Sequence, residues 1–192
     1  MLTQAAGEFP YTAAMSRRLG GVSGSLIIMI SAILIAGRFC SAEDFPPKDA
    51  ISADANPIDQ LRKDAERGNV KAQYVLGCCY NGDHGFTRDP AKAAKWWGRA
   101  AAGGCAEAQF CLGLSCFIGE GVPKDTAEAT RWWRKAADQE QPDAQYFLGL
   151  SYHTGLGVPK NAQLAVYWLK KSAGHGSKPA AQLLKTMGPS PG

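Results

Sequence analysis

The chain has 192 residues, enough for one domain with appendages, and its 45% apolar content allows a buried core. Its net charge is +4, but Arg17, Arg18 and Arg38 supply much of this; from Glu43 onward eighteen basic residues face sixteen acidic ones. A balance so even, without clustered base, excludes a nucleic-acid footprint and reads as a solvated mixed-charge surface.

The N-terminal segment carries the order basic, apolar, small. Arg17-Arg18 precede the run Leu26–Ala36, and Cys40-Ser41-Ala42 offer small residues for cleavage. This is the secretory pattern. Glu8 and Pro10 suit a leader poorly, so the expected signal starts at Met15 and spans residues 15–42 of a 1–42 export segment. The rival reading is an uncleaved anchor over residues 19–37, uncharged but diluted by Gly20, Gly21 and Gly24. Lipidation at Cys40 is disfavoured by Arg38 and Phe39. Either way the domain is expected outside the cytoplasm, periplasmic or secreted, or held at the membrane by that segment. Residues 43–56, with Pro46-Pro47, read as a flexible linker.

From residue 57 the chain is periodic. Ala72-Gln73, Ala108-Gln109 and Ala144-Gln145 stand 36 residues apart, as do Leu76-Gly77, Leu112-Gly113 and Leu148-Gly149, and Trp96, Trp132 and Trp168. A period of this length identifies stacked helical repeats, each burying its apolar face only against its neighbours. A leading helix capped by Asn56-Pro57 carries Leu61, in period with Trp97. Each unit then reads as helix A, a glycine loop and helix B. The first helix A is expected over residues 70–81, where Ala72, Leu76 and Tyr80 form one apolar face. Gly77, Gly113 and Gly149 lie mid-helix, where glycine costs about 1 kcal/mol relative to alanine. Their recurrence implies close approach of a neighbouring helix.

The loops Gly119–Asp125 and Gly155–Asn161 pair glycines that end a helix with a proline that delays the next. They finish on Asp89, Asp125 or Asn161, each a strong N-cap, and Pro90 takes the favoured first helical position. Helix B carries Ala93, Trp97 and Ala100, then Ala129, Trp133 and Ala136, then Ala165, Leu169 and Ser172. Interlocking indoles and small residues predict that the tryptophans are core. Ala180 and Leu184 continue the period although Ala181-Gln182 has slipped by one, giving a closing helix A before a frayed tail over residues 188–192.

The strings Ala-Gln-x-x-Leu-Gly-x-x-Tyr, Gly-x-Gly-Val-Pro-Lys-Asp and Ala-x-x-Trp-Trp-x-Lys-Ala-Ala resemble the Sel1-like repeat, a relative of the tetratricopeptide repeat. The resemblance covers about Asp59 to Thr186. It implies an all-α fold: a right-handed α-solenoid of stacked antiparallel helix pairs over residues 57–187, with three full units and capping helices. Two local departures are Asp83, where the other loops have glycine, and Cys116, where the family has tyrosine.

Reactive groups do not converge in the sequence. His84, His153 and His175 lie in or beside loops without ligand spacing, so no metal site is expected. There is no phosphate loop, no Gly-x-Ser-x-Gly and no Ser-x-x-Lys, so no catalytic residue and no cofactor is assigned. Cys78, Cys79, Cys105, Cys111 and Cys116 admit two readings. In an exported chain they could pair, Cys78 or Cys79 with one of the later three; equally, they could be small buried apolar residues. Cysteine-rich relatives, for which β-lactam binding or hydrolysis has been proposed, pair cysteines seven apart. The spacings here are 1, 26, 6 and 5, so that enzyme reading remains an alternative only.

By analogy with tetratricopeptide stacks, the A helices line a concave face. That alignment places Lys71, Tyr74, Cys78 and Asn81 there, followed by Glu107, Phe110, Leu114 and Phe117, and by Asp143, Tyr146, Leu150 and His153. Within each helix these positions form one stripe. An apolar centre with a charged rim suits a peptide or protein partner, although Tyr74, Phe110 and Tyr146 equally suit packing between helices. The expected function is a non-catalytic interaction scaffold outside the cytoplasm, possible roles including regulation of a membrane sensor or an envelope process. No nucleic acid is expected, and a membrane only through an uncleaved N-terminal segment.

Overall fold

The computed structural model describes residues 57–82 and 87–187. The export segment, the linker, residues 83–86 with the departure at Asp83, and the tail lie outside the described residues. Among the described residues there are eight helices and no strand. They are α1 (Pro57–Glu66), α2 (Val70–Asn81), α3 (Pro90–Ala102), α4 (Ala106–Ile118), α5 (Thr126–Asp138), α6 (Pro142–Thr154), α7 (Ala162–Gly174) and α8 (Lys178–Met187). Helices α2/α3, α4/α5 and α6/α7 are the three A/B pairs; α1 is the leading B helix and α8 the closing A helix. Each packs principally on its predecessor and its successor, the nearest-neighbour stacking of an α-solenoid.

The expected B-helix caps are present. Asp89 accepts the amide N–H of Lys92 at 3.1 Å, Asp125 accepts those of Ala127 and Glu128 at 2.9 Å, and Asn161 accepts that of Leu164 at 2.9 Å. The same three residues also close the loops. Their own amides donate to the carbonyls of Tyr80 (2.7 Å), Cys116 (2.8 Å) and Tyr152 (2.9 Å) in the preceding helix A. One residue therefore both starts helix B and fixes its return against helix A. The A helices have caps of their own: Asn69 accepts the Ala72 amide at 3.0 Å, and the Gln141 side chain accepts that of Ala144. Cys105, at the equivalent position, makes no such bond.

A left-handed residue turns each B helix into the next A helix. Gly68, Gly104 and Gly176 have φ of 94°, 92° and 87°, and Glu140 stands at the equivalent place with φ 65°. A side chain there costs roughly 1–2 kcal/mol, which glycine avoids.

The mid-helix glycines explain how a pair closes. A Cβ on Gly113 would lie 2.5 Å from Cδ1 and Nε1 of Trp133. Gly77 stands in the same relation to Trp97, and Gly149 to Leu169, whose Cγ would be 2.8 Å away. The absent methyl lets the large B-helix residue lie flat on helix A. The contact has a cost, because Nε1 of Trp97 and of Trp133 is buried without a hydrogen-bond partner.

Two features differ from expectation. The A helices are buried through consecutive residues, Ala72–Cys79, Ala108–Phe117 and Ala144–Tyr152, rather than on one face. The tryptophans divide: Trp97, Trp133 and Trp168 are buried, whereas Trp96 and Trp132 are half-exposed. The exposed pair is covered by cations, Arg99 at 4.5 Å from the Trp96 ring and Lys135 at 4.1 Å from that of Trp132.

The buried glutamines of the Ala-Gln pairs join successive units. Gln73, Gln109 and Gln145 donate to the carbonyls of Ala65 (3.0 Å), Ala101 (3.2 Å) and Ala137 (3.4 Å), each near the end of the preceding B helix. The loops join units as well. A Cβ on Gly121 would collide with the Pro90 carbonyl, and one on Gly157 with that of Thr126.

Candidate functional site

The twelve stripe residues fall into a buried centre and an exposed edge. Tyr74, Cys78, Phe110, Leu114, Phe117, Tyr146 and Leu150 are buried. Lys71, Glu107, Asp143 and His153 are exposed, and Asn81 is half-buried. Ring contacts involve three of the buried positions, Phe110, Phe117 and Tyr146. Phe110 lies 5.5 Å from Phe147 of the next unit, and Phe117 lies 5.6 Å from Trp133. Phe147 also meets Trp133 at 4.8 Å and Tyr146 at 5.6 Å, so an aromatic cluster crosses the junction between the second and third units. Such pairs contribute about 0.5–1.5 kcal/mol beyond area burial, and this makes Phe110 and Phe117 packing residues.

Lys71, Glu107 and Asp143 are the second residues of their A helices, each one residue before the buried alanine. They form a row, one charge per unit: a cation and then two carboxylates. Glu107 accepts the thiol of Cys105 at 3.3 Å. Burial pushes that thiol up to about 11, with the adjacent carboxylate adding to the shift. Asp143 is exposed at its edge, yet neighbouring side chains desolvate its carboxyl and raise its pKa, against a hydrogen bond from Gln141 at 3.5 Å. The Tyr146 hydroxyl is pushed up to about 12 by burial. Asp143 thus sits where desolvation begins, at the boundary between solvent and the buried stripe.

No disulfide joins any two of the five described cysteines; Cys78, Cys79, Cys111 and Cys116 are buried, as small apolar residues are. Among the described residues no group of three His, Cys, Asp or Glu could hold a metal ion. His153 and His175 stand on different helix ends, and His84 lies outside the described residues. No described helix is long and apolar enough to cross a membrane. Sequence reasoning missed the polar ties between units. Their signal was present in the period of Gln73, Gln109 and Gln145: a polar residue repeated inside an apolar run needs a fixed partner.

The repeat itself decides the family. The Sel1 repeat model matches residues 70–105, 106–140 and 142–177, three successive units that coincide with the helix pairs. The chain belongs to the Sel1 repeat family. Among solved structures, it is similar to c5321, a protective antigen of uropathogenic Escherichia coli strains displaying an SLR fold. Identity is 36% and the TM-score 0.66, over 68% of this chain and 28% of that one. The chain thus matches under a third of the antigen's length. It is also similar to a Sel1 repeat protein from Oxalobacter formigenes, at 36% identity and TM-score 0.62, over 67% of this chain and 97% of that one. Helicobacter pylori cysteine rich protein B shares the fold at 24% identity and TM-score 0.53, with coverage of 67% and 98%. Among curated proteins no sequence match was found. Sel1 repeats are helical scaffolds that commonly mediate protein–protein interaction.

Proposed function

We propose that this Sel1 solenoid is a non-catalytic scaffold outside the cytoplasm that holds a peptide or protein partner along the A-helix layer. The observation that carries this is the exposed row Lys71, Glu107 and Asp143, one charge per unit beside a continuous buried stripe. Packing and helix termination account for the residues that repeat: the alanines, glycines, glutamines and caps. The row varies from unit to unit while its position does not, which is how a repeat surface encodes a particular partner. An extended peptide crossing three units would meet a cation and then two carboxylates. The N-terminal order basic, apolar, small supports the location, and an exported scaffold of this kind suits control of a membrane sensor or of an envelope process.

The test is affinity recovery from envelope extract by the full chain and by K71A/E107A/D143A. The substituted residues are exposed, so the variant keeps its fold, checked by unchanged thermal unfolding. A partner recovered by the wild type and lost from the variant supports the reading. Equal recovery by both removes the row from the function.

A further inference from the structure

The third unit differs from the first two in a way the period makes measurable. Between residues 57 and 143 the chain carries twelve basic and twelve acidic residues; from 144 to 192 it carries five lysines and no acid. The change is one-sided. Stepping 36 residues on from the second unit, Glu120, Asp125, Glu128, Asp138 and Glu140 become Leu156, Asn161, Leu164, Gly174 and Gly176. Lys124, Arg134 and Lys135 become Lys160, Lys170 and Lys171, so three of the bases persist.

The structure shows what was lost. In the first unit Lys92 pairs with Asp89 at 2.9 Å, and in the second Arg131 pairs with Glu128 at 2.7 Å. Those positions in the third unit hold Leu164 with Asn161, and Tyr167 with Leu164 again. Leu164 and Tyr167 are the exposed large hydrophobic side chains among the described residues, 37% and 49% accessible. They lie one turn apart on α7. Lys171, one further turn on, sits 5.5 Å from the Tyr167 ring and 5.6 Å from that of Trp168. Lys160, Lys170, Lys178 and Lys185 are exposed, and no ion pair among the described residues includes any of the five lysines.

We propose that the exposed face of α7, with Lys160 in the loop before it and Lys178 just after it in the chain, is a docking surface for an anionic phospholipid bilayer. Three properties favour lipid over an acidic protein. Every cation here is lysine, a point charge suited to a diffuse anionic surface, where arginine would suit fixed carboxylates. Lysine is also depleted in protein–protein interfaces. The two exposed hydrophobic residues, one aliphatic and one an amphipathic aromatic, are the kind that enters the headgroup boundary. Unneutralised lysines then supply the electrostatic part of the attraction. This contact is separate from the A-helix row and does not depend on it.

The experiment is flotation of the full chain with two kinds of vesicle, phosphatidylcholine alone and phosphatidylcholine with about a third phosphatidylglycerol. The variants are K170Q/K178Q and L164S/Y167S, all at exposed positions, with circular dichroism confirming the fold. Residues 1–42 are common to every variant, and vesicle concentrations below saturation make differences between variants report the α7 face. Wild type is expected to favour the anionic vesicles, to lose that preference with added salt, and to weaken about fivefold for each lysine removed. L164S/Y167S is expected to weaken binding to the anionic vesicles as well. Equal binding of wild type and K170Q/K178Q to the anionic vesicles overturns the proposal, since the preference would then belong to Arg17, Arg18 and Arg38. So does binding to a polyglutamate peptide, abolished in K170Q/K178Q, with no preference between vesicles; that result assigns the face to an acidic protein.

Discussion

Gly113→Ala tests whether the mid-helix glycine is there for its missing methyl. Two effects oppose. Alanine is the better helix former, a gain of about 1 kcal/mol at a helix interior. Against this, the new Cβ would lie 2.5 Å from two atoms of the Trp133 ring and 3.2 Å from the Ala129 carbonyl. The indole has nowhere to go: it is 1% accessible and is held between Phe117 and Phe147, at 5.6 and 4.8 Å. Overpacking costs about 1–3 kcal/mol; with two atoms of a fixed ring at 2.5 Å the upper part of that range applies, about 2–3 kcal/mol, so clash wins and the net loss is about 1–2 kcal/mol. Gly98→Ala is the control. That glycine is also helical, in α3, but a Cβ there meets nothing within 4 Å, so propensity acts alone and stabilises by about 1 kcal/mol. Urea unfolding measures both, and an unchanged m-value confirms that the midpoint reports stability. G113A unfolding at or above the wild-type midpoint would refute the close-packing argument, and so would equal losses in both variants.

Glu140→Gly replaces the non-glycine residue at the B-to-A turn, φ 65°; relief of the left-handed conformation outweighs the added chain entropy, and the urea midpoint is expected to rise by an equivalent of roughly 0.5–1 kcal/mol. Gln109 donates to Ala101 and accepts from Gln139 at 2.8 Å, whereas Gln145 makes one bond at 3.4 Å and its Oε1 has no partner. Gln109→Leu should therefore cost about 1 kcal/mol more than Gln145→Leu; equal costs would mean that hydrogen bonding does not set the difference. The Cys105 thiol, ordinarily near 9, is raised to about 11 by burial and the Glu107 carboxylate. The folded state therefore holds its proton more tightly than the unfolded state, and this stabilisation is full below about pH 9 and lost as pH rises toward 11. Alkylation of Cys105, followed by mass spectrometry, should still be accelerating steeply between about pH 10 and 11, where a thiol of ordinary pKa near 9 has levelled off.

Much of the fold was legible because helix termination is local chemistry. Asp89, Asp125 and Asn161 announced the B helices, and the first A helix runs from Val70 to Asn81 as its glycine and period implied. What eluded the sequence was the use made of each face. Apolar spacing in α2, α4 and α6 is compatible with a half-exposed stripe, yet these helices are buried through consecutive residues. Spacing cannot separate one buried face from several when small residues fill the rest. Adjacent side chains point about 100° apart on a helix; this divides Trp96-Trp97 and Trp132-Trp133 between surface and core, whereas the equivalent Trp168 and Leu169 are both buried. The exposed edge Lys71, Glu107 and Asp143 was readable as charge, and its position beside desolvated groups was not.

The contact of each loop glycine with the outer helix of the preceding unit has a consequence for how such a chain can change length. Removing residues 106–141 would bring Gly157 to the Pro90 carbonyl, where Gly121 now lies, and would restore a junction of the same shape. The new junction would lack the Arg88–Glu120 ion pair, since Leu156 replaces the glutamate, and the Thr130–Leu156 hydrogen bond. A deletion one residue shorter would leave an extra residue at the junction, and if that residue fell within a helix it would turn the rest of that helix by about 100°. Length in this molecule is therefore inherited in quanta, and duplication or loss of whole units is the mutation that the architecture tolerates.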